Sequence, residues 1–312
     1  MLADGTYDGS GAFSDSNDDH LYAEHLGGAV LHAGVVLGGN FGPGRALVRG
    51  LAFDISDPAK TFQGAAINVW GASGRDVSVL DVTVDGNSAI ETGILARQVE
   101  GLVVARVVLR NFTDDGLTAD ENDRNAVVAK PMLIEDISVS GVSRPVPRSS
   151  NGTAEACIWL GNTATLRRAS VSGCAWMGVW TGTAFHNGLV TDVTATNTPV
   201  GVYLEHFTTD STFQHLQVGH GVKTGVNCEW ADPAWGGVPA CDGDTIQDSA
   251  FDTSDVGVYL DEGTKDTVVR RCSFTGQSFA AIGNYKGDGN SFSGNDYSGL
   301  GAGVPGVSTA HA

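Results

Sequence analysis

The chain has 312 residues, 43 of them glycine and only 9 proline, with a formal net charge of −18 at pH 7. That length allows one or two domains, and so acidic a balance argues against nucleic acid and anionic membrane as partners, since both reward Lys and Arg. No apolar run approaches the ~20 residues of a membrane-spanning helix, and no low-complexity tract interrupts a chain that reads as folded and full of turns.

Residues 1–26 carry no repeat and read as a cap or lead-in, with Ala29 to Asn40 opening the regular part. From Val79 onward one pattern returns: apolar, two variable, apolar, one variable, apolar, then a turn residue two places on. It reads VLDVTVDG at Val79, VARVVLRN at Val104, IEDISVSG at Ile134, LRRASVSG at Leu166 and VTDVTATN at Val190. It continues as FQHLQVGH at Phe213, IQDSAFDT at Ile246 and VRRCSFTG at Val269, with a worn copy at Phe292. Val190 to Phe213, Ile246 to Val269 and Val269 to Phe292 are each 23 residues by subtraction, and the remaining steps are longer. A short period with occasional insertions is the signature of a solenoid carrying loops on one side. Residues 301–312 read as a frayed tail.

A second segment follows each turn, led by a glycine: GILAR at Gly93, GLTAD at Gly116, CIWLG at Cys157 and GVWTG at Gly178, then GVYLE, GVNCE and GVYLD at Gly201, Gly225 and Gly257. Period-two alternation predicts strands, and two or three short strands per rung with Gly and Asn at the corners describe a coil of a parallel β-helix. The predicted fold is all-β, one right-handed parallel β-helix of about ten coils over residues 1–300. A leucine-rich repeat would need a leucine ladder and a helical segment in each unit, and neither is visible. Cys228 and Cys241 flank the longest insertion and are placed to close it, which implies an oxidising compartment. Cys272 falls in a core column, and the pairing of Cys157 and Cys174 stays open.

Alternation in the second segment turns Ile94, Leu117, Ile158, Val179, Val202, Val226 and Val258 inward. Their neighbours Leu95, Thr118, Trp159, Trp180, Tyr203, Asn227 and Tyr259 are expected to face out, as are Arg97, Asp120, Glu205, Glu229 and Asp261 two places on. Trp159, Trp176, Trp180, Tyr203 and Tyr259 offer aromatic platforms for sugar rings, unless inserted loops cover them. Glu91, Asp114 and Glu155 form a vertical run of carboxylates with Asp115 beside it. Like charges on neighbouring rungs are costly, so the run serves a cation, a shared proton or plain solubility. Carboxyls ~5 Å apart on consecutive rungs and ~10 Å apart on alternate ones bracket the spacings of retaining and inverting glycosidases. Glu205, Glu229 and Asp261 make a second acidic cluster, and His206 and His215 invite metal or base roles, although the commoner reading is solvent-facing histidines of no special role.

The repeat resembles the pectate-lyase-like and polygalacturonase-like superfamily of right-handed parallel β-helices, over about residues 27–300. Thr113-Asp114-Asp115-Gly116-Leu117-Thr118-Ala119 is similar to the paired-aspartate strand of polygalacturonases, where both aspartates are catalytic. Other marks depart. Glu91-Thr92-Gly93 stands where an Asn-Thr-Asp is expected, Glu155-Ala156-Cys157 where Gly-His-Gly is expected, and Trp180 and Gly182 where an Arg and a Lys grip a uronate. Gly219-His220-Gly221 falls in the turn column and reads as a turn. The resemblance therefore implies a carbohydrate-active relative without the uronate grip.

The expected reaction is carboxylate acid/base hydrolysis of glycosidic bonds in a polysaccharide or oligosaccharide. Its catalytic residues are drawn from Asp114, Asp115, Glu155 and Glu205, and Trp159, Trp176, Trp180, Tyr203, Tyr259, Arg97, Asp120, Glu229 and Asp261 bind substrate. No metal or cofactor is expected for that chemistry. A lyase or epimerase acting on uronates, with Ca²⁺ on the acid run and Lys223, Lys130, Arg124 or Arg97 as the cationic group, is the alternative, and a non-catalytic sugar-binding adhesin is a third. The expected setting is secreted or periplasmic, any export signal having been removed or replaced, and the expected state a monomer whose partner is a carbohydrate.

Overall fold

Each copy of the repeat folds either as one strand with a sharp kink, as Val103–Phe112 does, or as two short strands on either side of that kink, as Thr212–Gln214 and Gln217–Gly219 do. The structure, a computed structural model, describes residues 1–15, 20–38, 45–70, 76–97, 99, 101–120, 130–143, 156–182, 184–231 and 240–311, and of residues 13–15, 38 and 120 the backbone only. The kink falls on the same residue of every copy, two places after the first apolar position. Asp81, Arg106 and Asp136 adopt positive φ in the first half of the chain, and Arg168, Asp192, His215, Asp248 and Arg271 in the second, all between 51° and 56°. A left-handed residue with a side chain costs about 1–2 kcal/mol in isolation. Here every rung bends at one place, so the hydrogen bonds between rungs survive. The kink residues also pair from rung to rung, as Asp81 does with Arg106 and Asp248 with Arg271.

Two compact units result, Met1–Trp159 and Leu160–Ala312, and the fold of the chain is the right-handed parallel β-helix. In the first unit the second-segment strands Val35–Gly38, Ala65–Trp70, Thr92–Arg97 and Asp115–Asp120 pair in parallel and in register. This stacks Asn68, Leu95 and Thr118 in one column and Trp70, Arg97 and Asp120 in the next. In the second unit Met177–Thr181, Val200–Leu204, Thr224–Cys228, Val256–Leu260 and Ala280–Asn284 do the same. Trp180, Tyr203, Asn227, Tyr259 and Gly283 thereby form one column. The lead-in is part of the stack, because Gly5–Tyr7 pairs with Ala29–Leu31. So is the tail, because Val307–Ser308 pairs with Ile282 and Gly283.

The core sits between the sheets of each unit. The first apolar position of the repeat, Val79, Val104 and Ile134 in one unit and Leu166, Val190, Phe213, Ile246 and Val269 in the other, is fully buried. So are the predicted inward residues of the second segment. Phe251 stacks on Phe274 at 5.4 Å between centroids, and Phe274 on Tyr297 at 5.8 Å. These columns explain the glycines that lead the second segment. A Cβ at Gly116 would stand 2.2 Å from Val139 Cγ1, one at Gly201 2.6 Å from Val218 Cγ1 and one at Gly225 2.5 Å from Phe251 Cδ1. The glycine admits the core side chain of the rung that follows it. Cys228 and Cys241 form a disulfide, as their spacing predicted, and Cys272 is a buried thiol. No helix among the described residues is long and apolar enough to cross a membrane.

Candidate active site

The paired aspartates line a cleft of about 440 Å³ in the first unit, together with Gln63, Gly64, Glu91, Thr92, Leu95, Arg97, Thr118 and Trp159. Local chain geometry makes the hollow. Gln63 and Gly64 both turn at positive φ, 51° and 72°, and a Cβ at Gly64 would stand 2.9 Å from the side chain of Glu91. Glu91 lies where glycine leaves room for it. The amides of Asp114 and Asp115 both donate to the Glu91 carbonyl, at 3.0 and 3.2 Å, so the acid run stands on adjacent rungs as predicted. Glu155, its third member, lies outside the described residues.

Asp114 and Asp115 are neighbours in very different surroundings. Asp114 is half-buried, whereas Asp115 is 4% exposed. Asp115 accepts hydrogen bonds from Thr118 Oγ1 at 2.8 Å and from the Ala156 amide at 3.0 Å. Burial pushes its carboxyl up to about 7, and the Asp114 charge adds to the rise. The two hydrogen bonds and the Arg97 charge pull less strongly the other way. A carboxylic acid that keeps its proton near neutrality beside a more exposed carboxyl is the asymmetry that acid/base chemistry needs. Arg97 adds a cation to the cleft wall and Trp159 a half-buried aromatic surface. Asp120 pairs in register with Arg97 at the strand end.

The second unit holds the other candidates. Trp180 and Tyr203 are in register on adjacent strands, and Tyr259 lies two rungs beyond Tyr203. The expectation of a fully outward face does not survive. Trp180 is 8% exposed and Tyr259 7%, and in the first unit Leu95 and Thr118 are buried too. At Tyr259 and Thr118 the cause is local. Tyr259 lies over Gly283, which has no side chain to hold it off, and against the His311 ring. Thr118 is closed over by its bond to Asp115. Tyr203 is half-buried, and Trp176, at 56% exposure, is the most open of the named aromatics.

Glu205, Glu229 and Asp261 occupy consecutive rungs as predicted. The Glu205 amide donates to the Thr181 carbonyl, Glu229 to Leu204 and Asp261 to Cys228. His206 is not the solvent-facing residue that was expected: it is 6% exposed, with Nδ1 3.3 Å from Glu229 Oε2. Burial, then the Glu229 carboxylate that accepts its hydrogen bond, raise the Tyr203 phenol well above its usual range and keep it protonated. His220 is a turn residue at φ 39°, as read, and His215 is exposed. Lys223 is exposed beside this sheet, Lys130 pairs with Asp76 at 2.7 Å, and Arg124 lies outside the described residues.

Three residues escaped the sequence reading. Trp70, 49% exposed and in register with Arg97, belongs to the rung before the first glycine-led segment, and the apolar–polar alternation of Ala65–Trp70 is the signal that finds it. Gln63 and Thr92 line the cleft with no sequence signal of their own.

No family model matches the sequence, and no curated protein does. Solved structures do share its fold. The A-module of the mannuronan C-5 epimerase AlgE4 from Azotobacter vinelandii superposes with a TM-score of 0.63 at 17% identity, over 98% of this chain and 90% of that one. The surface adhesin PfbA of Streptococcus pneumoniae gives 0.54 at 10% identity, over 95% and 84%. The catalytic unit of the GH87 α-1,3-glucanase from Streptomyces thermodiastaticus gives 0.52 at 13% identity, over 98% of this chain but 62% of its own. At these identities the likeness defines a class by architecture, the right-handed parallel β-helix.

Proposed function

We propose that the chain is a carbohydrate-active enzyme that hydrolyses glycosidic bonds in the cleft of the first unit. The observation that carries this reading is Asp115, buried and holding a proton up to about pH 7, beside half-buried Asp114. In this reading Asp115 gives its proton to the leaving glycosidic oxygen. Asp114, ionised, activates water or attacks the anomeric carbon, with Glu91 on the adjacent rung adding negative charge that favours an oxocarbenium-like transition state. Trp159 and Trp70 stack on sugar rings along the cleft and Arg97 hydrogen-bonds substrate oxygens. Two of the solved structures of like fold are named for action on carbohydrates, the epimerase and the glucanase, which supports the substrate class but not the reaction. A secreted setting agrees with the Cys228–Cys241 disulfide.

A second reading has one observation in its favour. Arg97 supplies a cation that would pair with a uronate carboxylate, as β-elimination or C-5 epimerisation requires, and Glu91 and Asp114 would hold calcium there if the reaction uses it. Incubation of the purified protein with a panel of neutral and uronate polysaccharides, with products read by mass spectrometry, separates the two. Products that have gained water support hydrolysis. Unsaturated ends absorbing near ~235 nm or a changed uronate ratio, abolished by chelator, overturn it, and so does a panel without any product.

A further inference from the structure

The second unit brings three metal-ligating side chains together. The donor atoms of Glu205, His206 and Glu229 lie within 4.8 Å of one another. Backbone pairing sets them there. Glu205 and Glu229 follow equivalent strands on adjacent rungs, and His206 is the next residue of the turn that leaves Val200–Leu204. His206 is almost wholly buried, with its Nδ1 3.3 Å from Glu229 Oε2. Two donors bound to one ion at ~2.1 Å and the tetrahedral angle stand about 3.4 Å apart, so this separation already suits a shared ion. The Tyr203 phenol donates to the Glu229 carboxylate, the kind of outer hydrogen bond that orients a ligating carboxylate. Glu205 and Glu229 in the same cluster are like charges that a dication would offset. Asp261, next in the stack, is held by the Glu262 amide at 2.7 Å and is left out of the ligand set.

We propose that Glu205, His206 and Glu229 bind one divalent cation of the zinc class. One imidazole nitrogen and two carboxylates suit Zn²⁺ or Mn²⁺, whereas Ca²⁺ asks for six to eight oxygens. Three protein ligands leave one position for water or a sugar oxygen, a short step from the aromatic column of Trp180 and Tyr203. The site stands whether or not the Asp114–Asp115 cleft hydrolyses glycosides.

The test is calorimetric titration of the full chain, stripped with chelator, with Zn²⁺, Mn²⁺ and Ca²⁺ salts separately. One equivalent of Zn²⁺ is expected, bound roughly a hundredfold more tightly than Ca²⁺. His206→Gln and Glu229→Gln should each weaken Zn²⁺ by on the order of a hundredfold, with circular dichroism confirming the fold, while His215→Gln leaves it unchanged. Cobalt-loaded wild type should show the visible absorption of a four-coordinate centre, and zinc-edge X-ray absorption a shell containing one imidazole. That readout decides the matter even if both variants fail to fold. Preference for Ca²⁺, equal binding by both folded variants, or a shell without nitrogen overturns the proposal.

Discussion

Single residues decide the chemistry, and Asp115 is the sharpest case. Its folded-state pKa of about 7 lies above the ~3.9 of an unfolded aspartate. The stability it contributes is therefore fully present below about pH 4 and lost as pH rises through about 7. If it is the acid, kcat/KM on a cleaved polysaccharide should fall above pH ~7. Asp115→Asn should cost on the order of 10²–10⁴ in turnover, with the melting temperature held or raised at pH 8; full activity in that variant would remove it from the mechanism. Asp244 presents the same physics without a site. It is fully buried, pushed up to about 8 by burial, and its Oδ2 has no hydrogen-bond partner among the described residues. Its Oδ1 accepts the Ser211 amide, and in the same column Asn290 accepts the Thr267 amide and also donates to Thr264. Asp244→Asn should therefore stabilise by about 1–3 kcal/mol at pH 7, the scale of an unsatisfied buried polar group, and by less at pH 4, as thermal melts at both pH values would show. The Asp114-Asp115 pair was legible because two adjacent acids before a glycine-led strand are conspicuous. His206 was not, because alternation says nothing about a residue in a turn.

Elements carry the next layer, where columns rather than residues are the unit. Gly225 faces Phe251 so closely that Gly225→Ala places Cβ against both that ring and the Gly257 carbonyl. Denaturant titration should show a loss of about 1–3 kcal/mol, the scale of an overpacked core. The aromatic column separates into two kinds. Trp180→Ala removes a buried side chain and should cost about 3–5 kcal/mol of stability. Trp176→Ala should leave the melt in place and weaken oligosaccharide binding by about 1–3 kcal/mol, the scale of stacking on an exposed aromatic. Unchanged binding with a lowered melt would give Trp176 to packing. The column itself could be read from spacing, since rungs repeat it. Its burial could not, because covering a face depends on what folds over it, as His311 does at Tyr259.

At the scale of the whole molecule, a charge of −18 on 312 residues opposes the folded state by self-repulsion. Raising salt from ~10 mM to ~150 mM shortens the Debye length from ~30 Å to ~8 Å and should raise the melting temperature. A melt indifferent to salt would mean that pairs such as Asp81–Arg106 and Asp248–Arg271 already balance the field. What the sequence alone determined was everything periodic: the rung, the inward columns, the glycine at the head of each second segment and the acids on consecutive rungs; to these it added one closure of an insertion, Cys228–Cys241. Periodicity is a local property, and a solenoid turns local order into tertiary order by pairing each rung with the next. Only the tertiary structure decided the depth of each side chain, and with it the proton on Asp115, the burial of Trp180 and Tyr259, and the meeting of His206 with Glu229. Depth and charge depend on neighbours that the one-dimensional pattern does not place.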